Sequence, residues 1–423
     1  MADIRPFRSI RPNREVVSEV AALPYDVYDR KEAAQEVAGK PLSFLNIDRA
    51  ETQFPPETDC YDDKVYEKAR EMLEDWQKKG ILISDSTDCY YLYELTMNGR
   101  EQTGIVACAS VDDYLNGVIA KHENTREEKE QDRIRHVDVT GAHTGPIFLA
   151  YRSEERLNQI VERTKHSEPL YSFVTSDRIM HQIWKIDDAH TISRIQSLFA
   201  EIPRIYIADG HHRAASAVKV GLKRRAANPG YTGEEPFNHF LSVLFPDDQL
   251  MIMPYNRVVK DLNGLSQEAF LEKVQQCFTV EERGSEAFWP QEQHHMSMFL
   301  GDTWYELAMK PEYRSDDPVK GLDVSLLQEL LLTPVLGIGD PRLDNRIQFV
   351  GGIRGLGELE RLVKLYEEEN AAAGGEVTGA VAFAMYPTSI SQLFSVADAG
   401  LLMPPKSTWF EPKLRSGIFI HKL

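Results

Sequence analysis

The chain has 423 residues, and 48 Lys and Arg against 66 Asp and Glu leave a formal charge of −18. At about 100–200 residues per domain, that length asks for two to three structural units with substantial cores. A composition of 42% hydrophobic, 27% charged and 9% aromatic residues is that of a globular protein and excludes a disordered or fibrous chain.

A membrane span needs about 18 or more uninterrupted apolar residues. The longest apolar stretches here, Gly379 to Tyr386 and Leu326 to Ile338, are short or interrupted, so no membrane partner is expected. The first seven residues, Met1 to Phe7, lack the apolar core of a secretory signal. Cysteines at 60, 89, 108 and 277 form no C-x-x-C pair, so neither a disulfide framework nor a thiolate metal site is indicated, and a cytoplasmic location is expected. A strongly acidic chain repels phosphate backbones, and the densest basic run is only Lys223-Arg224-Arg225, so nucleic acid is not expected as a partner. Oligomeric state leaves no mark in the sequence.

In chain order, Val65, Ala69, Met72, Leu73 and Trp76 fall on one face of a helix predicted over 62–79, with Gly80 placed to close it. Strands are predicted at Cys89 to Leu95 and Thr103 to Val111, joined across the hairpin signal Asn98-Gly99. From Lys121 to Arg135 the residues are almost all charged with no apolar stripe, so a solvated segment or the lining of a wet cleft is expected. A short buried strand at Arg204 to Ala208 leads through Asp209-Gly210 into a helix predicted from His211 to Val220 and closed by Gly221. Strands are then expected at His239 to Phe245 and Met251 to Val259, and a helix from Gln267 to Phe278 behind an N-cap at Ser266. Gly301-Asp302 joins Met296 to Leu300 with Trp304 to Ala308 in a second hairpin. Helical patterns at Val324 to Leu332, Glu358 to Glu368 and Ile390 to Ala397 alternate with strand patterns at Ile347 to Val350 and Val381 to Met385, and Ser389 and Gln392 have capping-box spacing. The alternation argues an α+β (mixed α/β) fold.

Three windows carry chemistry. In Ile205 to Arg213, a strand ends in a glycine turn that opens a helix, whose first N–H groups and positive dipole end can hold an anion. Arg213 adds a planar fork for phosphate oxygens, and His211 and His212 can donate hydrogen bonds or move protons. From spacing alone it is equally consistent that Asp209 merely caps the helix and Gly210 merely permits the turn. A metal site from Asp209, His211 and His212 ranks lower, because adjacent helical histidines point apart. In Lys121 to Arg126, Glu123 beside His122 can serve as a general base, although a glutamate in a charge run is more often a solvated face. This is no H-e-x-x-H zinc site, since Arg126 stands where the second histidine belongs. In the third window, Pro404-Pro405 stiffens a loop presenting Lys406, Ser407 and Thr408, followed by Glu411-Pro412-Lys413. A cation beside two hydroxyls suits a phosphate or small carboxylate, and a plain proline-rich loop would read the same. Walker and Rossmann glycine spacings are missing.

Together and in this order, the windows resemble the SerK-like family, which comprises archaeal ADP-dependent free-serine kinases and a larger bacterial branch with the ParB and sulfiredoxin type of nucleotide site. The likeness is carried by Pro24-Tyr25-Asp26-Val27, His122-Glu123-Asn124-Thr125, Ile207 to Arg213 and Pro405-Lys406-Ser407-Thr408-Trp409-Phe410. It covers nearly the whole chain for the bacterial branch and three short motifs for the kinases. The Asp-Gly-His-His-Arg run is the most specific part.

The resemblance implies an N-terminal α+β unit over 1–115, a ParB/sulfiredoxin-like core over 116–260, and a C-terminal α+β unit over 261–423. It implies Glu123 as base on an acceptor hydroxyl, with Asp209 and His212 joining it in catalysis and Asp209 near the phosphate or its Mg²⁺. Gly210, His211, His212 and Arg213 would lie on phosphate oxygens, Lys406, Ser407 and Thr408 near the reacting groups, and His122, Tyr25 and Asp26 at the substrate. ATP or ADP would be the phosphoryl donor, and free L-serine is the best single guess for the acceptor. Alternatives are a ParB-type switch that binds or hydrolyses a nucleotide, and a phosphate-ester hydrolase using His211 or His212.

Overall fold

Asn98 and Gly99 both adopt positive φ, 52° and 79°, and join the strands Tyr90–Met97 and Arg100–Ser110. Two left-handed residues in a tight turn match the twist of the strands they connect, which is why the Asn-Gly signal was readable. In the computed structural model, which describes residues 1–125, 127–372 and 379–423, this hairpin belongs to a nine-stranded mixed sheet. Its strands are Ile4–Arg5 (β1), Tyr90–Met97 (β2), Arg100–Ser110 (β3), Ile119–Ala120 (β4), Ile147–Tyr151 (β5), Tyr171–Val174 (β6), Met180–Ile186 (β7), Ile205–Asp209 (β8) and His239–Pro246 (β9). The order is β4-β8-β5-β9-β3-β2-β7-β6, with β1 paired to β3. Pairing is parallel between β4 and β8 and between β5 and β9, and antiparallel elsewhere.

The chain is mixed α+β and divides into two compact units, Met1–Leu250 with Pro412–Leu423, and Met251–Glu411. Stretches 1–115 and 116–250 thus contribute strands to one sheet. The last twelve residues return to this unit, and their strand Ile420–Lys422 pairs with Ser9–Pro12 and Ala142–His143 in a separate four-stranded sheet. One apolar core of this unit joins Ile105, Leu149, Ile205 and Ile207 of the sheet to Ala214, Ala217 and Val218.

The helix Asp63–Lys78 (α1) starts where Asp62 accepts from the Lys64 N–H, and it buries Val65, Tyr66, Ala69, Leu73 and Trp76 as the periodicity requires. One expectation holds in part and another fails. Residues of the charged run form a helix, Glu127–Thr140 (α2), which buries Glu130, Arg133, His136 and Val137 and packs against His211–Ala227 (α3). Charges can be buried there because each has a partner: Glu130 meets Lys219, Arg133 meets Asp132, and the His136 ring meets the Ile47 carbonyl. Nor does α3 end at Gly221. It continues through it to Ala227, and the glycine serves a close approach, since a Cβ there would stand 2.6 Å from the Phe237 carbonyl oxygen.

The second unit is built on a six-stranded antiparallel sheet, in the order Phe278–Gly284, Thr303–Met309, His295–Leu300, Val381–Met385, Tyr255–Val259, Ile347–Gly351. Helix Gly357–Ala372 covers one face through Leu359, Leu362 and Val363. Ser266 caps Gln267–Cys277, and Ser389 and Gln392 form the expected capping box on Ile390–Asp398. The strand expected from Met251 to Val259 is split into Ile252–Met253 and Tyr255–Val259, with Pro254, which has no N–H to give a ladder, between them. Among the described residues no helix is long and apolar enough to cross a membrane.

Several histidines of the first unit are buried as neutral rings. Burial is the main cause that brings His122 and His421 down to about 4 and His181 to about 3. An unfolded histidine titrates near 6.5, so the unfolded state takes up protons that the folded state refuses. The stabilisation is complete above about pH 6.5 and is lost as pH falls from there toward 4, at about 1.4 kcal/mol per pH unit for each such ring. Urea midpoints measured from pH 7.5 to 4.5 should fall steeply below 6.5. A flat profile would mean that these rings reach water.

Candidate functional site

The local chain around residue 210 dictates the site. Strand β8 ends at Asp209, Gly210 takes φ 95° and ψ 33°, and α3 opens at His211. A side chain at 210 would be strained in that left-handed conformation, and its Cβ would also lie 3.1 Å from the Arg213 guanidinium. The first N–H groups of a helix have no acceptor within the helix, and the turn places those of α3 at the end of β8, where such groups can meet an anion.

The register of β4 supplies the second half. Ile119 and Ala120 pair in parallel with Ile205 and Tyr206, so both chains leave the sheet in the same direction, and His122 and Glu123 run beside Asp209 and His211. The His122 N–H approaches His211 Nε2 at 3.5 Å, the two rings meet edge to face at 4.5 Å, and Glu123 Oε2 lies 3.8 Å from His211 Nδ1. With Nε2 receiving a hydrogen bond, the neutral ring carries its proton on Nδ1, facing the carboxylate. Burial first, and then neighbouring His122, push the His211 ring well below its ordinary value, so a neutral ring stands beside Glu123, at a distance longer than a hydrogen bond.

Asp209 is set between two cations, Arg213 Nη2 at 3.1 Å and Lys413 Nζ at 3.6 Å. Burial favours its neutral form, but Lys413, Arg213 and His211 outweigh burial and hold the carboxyl below the usual range. The Arg213 side chain is only 10% exposed. Its Nη1 donates to the Pro146 carbonyl, and its plane lies against Gly210. The guanidinium is therefore turned inward, where it supports the turn and Asp209, rather than outward as a phosphate contact would need. His211 is likewise buried.

Glu130 ties the two halves together. It accepts from Thr125 Oγ1 and pairs with Lys219 of α3, beside His212. Glu130→Ala should cost about 1–3 kcal/mol through the partners it strands. It should also raise amide exchange across 119–125 more than across β2, which a protection map by mass spectrometry would read. Equal protection in both segments would remove this tether.

Tyr25 is buried with its ring 4.0 Å from the Arg133 guanidinium, and the exposed Asp26 acts on Arg213 by charge. One unit thus brings together Tyr25, Asp26, His122, Glu123, Asp209, Gly210, His211, His212 and Arg213. Lys406, Ser407 and Thr408 belong to the other unit. There Lys406 is exposed at φ 60° with its Nζ 5.4 Å from the Tyr255 ring centroid, Ser407 is buried and donates to the Pro404 carbonyl, and buried Arg257 donates to the Lys406 carbonyl. Arg126 lies outside the described residues. Lys413 was given no role from sequence, and no local pattern marks it. It reaches Asp209 only because the tail returns.

The expected Mg²⁺ finds few ligands among these side chains. Among the described residues no three His, Cys, Asp or Glu groups converge, and Asp209 is already engaged by two cations. The described residues build no cage of their own, and a Mg²⁺ here would have to arrive on phosphates.

No curated protein matches the chain. Among solved structures it is similar to SbnI with C-terminal truncation from Staphylococcus aureus, at 12% identity and a TM-score of 0.37, over 74% of this chain and 85% of that one. It is also similar to a mutant free serine kinase in complex with ADP, at 14% identity and a TM-score of 0.32, over 74% and 92%. A conserved hypothetical protein from Pyrococcus furiosus gives 14% identity and a TM-score of 0.32, over 75% and 94%. The family model described as "Protein of unknown function (DUF1015)" matches residues 4–325, taking in the whole nine-stranded sheet with the turn at Gly210 and the Glu123 loop, and the chain belongs to that family.

Proposed function

We propose that this protein is a nucleotide-dependent kinase of a small hydroxyl compound, with free L-serine as the acceptor and O-phospho-L-serine as the product. The observation that carries the reading is the 3.8 Å approach of Glu123 to His211 at the mouth of the Gly210 turn. It sets a carboxylate beside a helix N-terminus that can hold phosphate oxygens. The motif resemblance supports the same assignment.

In the proposed step the nucleotide's terminal phosphoryl group rests against the first N–H groups of α3, with His212 and Lys413 close by. The acceptor hydroxyl gives its proton to Glu123, its oxygen bonds to phosphorus, and the bond from phosphorus to the nucleotide oxygen breaks, leaving the shorter nucleotide. Positioning and charge neutralisation supply most of the catalysis in such transfers. Asp209, neutralised by Arg213 and Lys413, presents little net charge to an incoming phosphate. Mg²⁺ bound to the nucleotide would add charge neutralisation on the phosphates.

The test is direct. Calorimetry on the full chain with ATP, ADP and AMP should show binding, and incubation with L-serine, Mg²⁺ and ATP or ADP should yield phosphoserine. If no nucleotide binds, the proposal fails. If nucleotide binds and no hydroxyl compound in a panel of amino acids and alcohols is phosphorylated, the kinase assignment fails.

A further inference from the structure

A cavity of about 550 Å³ in the first unit is walled by residues between 18 and 45, by residues 174–177 at the turn after β6, and by Arg415 of the returning tail. None of its lining residues belongs to the Gly210 turn or to the Glu123 loop. Its volume falls within the roughly 300–1,000 Å³ usual for small-molecule sites.

Arg415 is the group that calls for a ligand. Its side chain is only 3% exposed, and its Nη2 pairs with Asp177 and approaches Thr175 Oγ1 at 3.3 Å. Nη1 makes no hydrogen bond among the described residues, and unlike Nε it is not sealed from solvent. Two neutral donors stand with it. Burial, and then Glu36, raise the Tyr28 phenol to about 12 while Arg415 draws it down, so Tyr28 is an O–H donor in the field of that guanidinium. Ser43 is buried, and neither its hydroxyl nor that of Tyr28 has a partner among the described residues. A guanidinium edge and two hydroxyls lining one hollow suit the oxygens of a carboxylate.

The acids at the cavity decide what else the ligand carries. Asp177 is neutralised by Arg415, and Glu36 by Lys40 at 2.5 Å, whereas exposed Glu19 has no ion pair among the described residues. Three carboxylates facing two cations disfavour a plain anion. A plain amine would leave the Arg415 edge without an acceptor. A molecule of both charges satisfies both sides, and Leu23, Leu42 and Val174 leave an apolar wall for its side chain.

We propose that this cavity binds a free amino acid, with its carboxylate on Arg415 Nη1–H, Tyr28 O–H and Ser43 O–H and its ammonium group at Glu19. The inference does not rest on the kinase reading. The tail connects the two places, because Lys413, two residues before Arg415, holds Asp209 at 3.6 Å, and Ser416 pairs with Ala22 of the cavity wall.

The experiment uses the full chain. The twenty L-amino acids are titrated singly by calorimetry, and the tightest is compared with its carboxamide, which lacks the carboxylate, and with its N-acetyl derivative, which lacks the ammonium group. The carboxamide should bind about tenfold or more weakly, the worth of a hydrogen bond between charged groups, and the N-acetyl derivative should bind more weakly too. Tyr28→Phe should weaken the amino acid by about tenfold, and Glu19→Gln by about two- to fivefold because that acid is exposed. Neither change strands a buried charge, so both variants should fold.

No binding by any amino acid, or equal binding of the carboxamide, would overturn the proposal. So would affinity that is unchanged in Tyr28→Phe, or affinity lost in Glu123→Gln and kept in Tyr28→Phe, which would place the amino acid at the Glu123 loop. Amino-acid binding without any binding of ADP would instead defeat the kinase reading and leave this site standing.

Discussion

Glu123→Gln is expected to lower turnover by about 10²–10⁴-fold, the usual worth of a positioned general base, while nucleotide affinity stays within about twofold. The amide keeps the shape of the acid, and the contact with His211 Nδ1 at 3.8 Å is too long to be a hydrogen bond that the change would break, so the loop geometry should survive. What it loses is the ability to take the acceptor's proton. Because His211 is buried and neutral, the change leaves no charge uncompensated on that ring, and the effect should fall on kcat rather than on binding. Steady-state kinetics alongside calorimetry separate the two, and full activity in the variant would remove Glu123 from the mechanism.

Arg213→Ala should cost about 3 kcal/mol of stability, the low end of what breaking a buried ion pair costs, because Asp209 keeps Lys413 and is partly solvated. The change strands the Pro146 carbonyl and removes the plane that lies against Gly210. Nucleotide affinity should fall with it, since the turn that presents the amides is no longer held. Arg213→Lys should recover part of the stability, because a charge remains but the planar fork does not. Chemical denaturation and nucleotide titration on the same samples read both effects. Unchanged stability with weakened nucleotide binding would mean that the guanidinium swings outward to the phosphates, the direct role its motif suggests.

Much of the fold was legible where the cause of a structure lies within a few residues. The Asn98-Gly99 turn, the Ser266 cap, the Ser389–Gln392 box and the apolar stripe of α1 are each set by local backbone and side-chain preferences, and each appears where the residues place it. The strand, glycine turn and helix around Asp209-Gly210 belong to the same class, because a left-handed glycine before a helix is a local event. Glycine alone is ambiguous, however, and Gly221 shows why. Its meaning lies in the Phe237 carbonyl packed against it, which no pattern near 221 records.

The site itself needed contacts between residues far apart in the chain. Only the parallel pairing of β4 with β8 puts Glu123 beside His211, and only the returning tail delivers Lys413 to Asp209. The buried charges of α2 escaped notice because burial of Glu130 and Arg133 depends on partners from other segments, such as Lys219 of α3, and not on an apolar stripe. The inward turn of Arg213 is of the same kind, since its acceptors are Pro146 and Asp209. Periodicity and capping report the free energy of a chain with its neighbours in sequence. Charge compensation and the choice of which side chain faces a ligand are decided by neighbours in space.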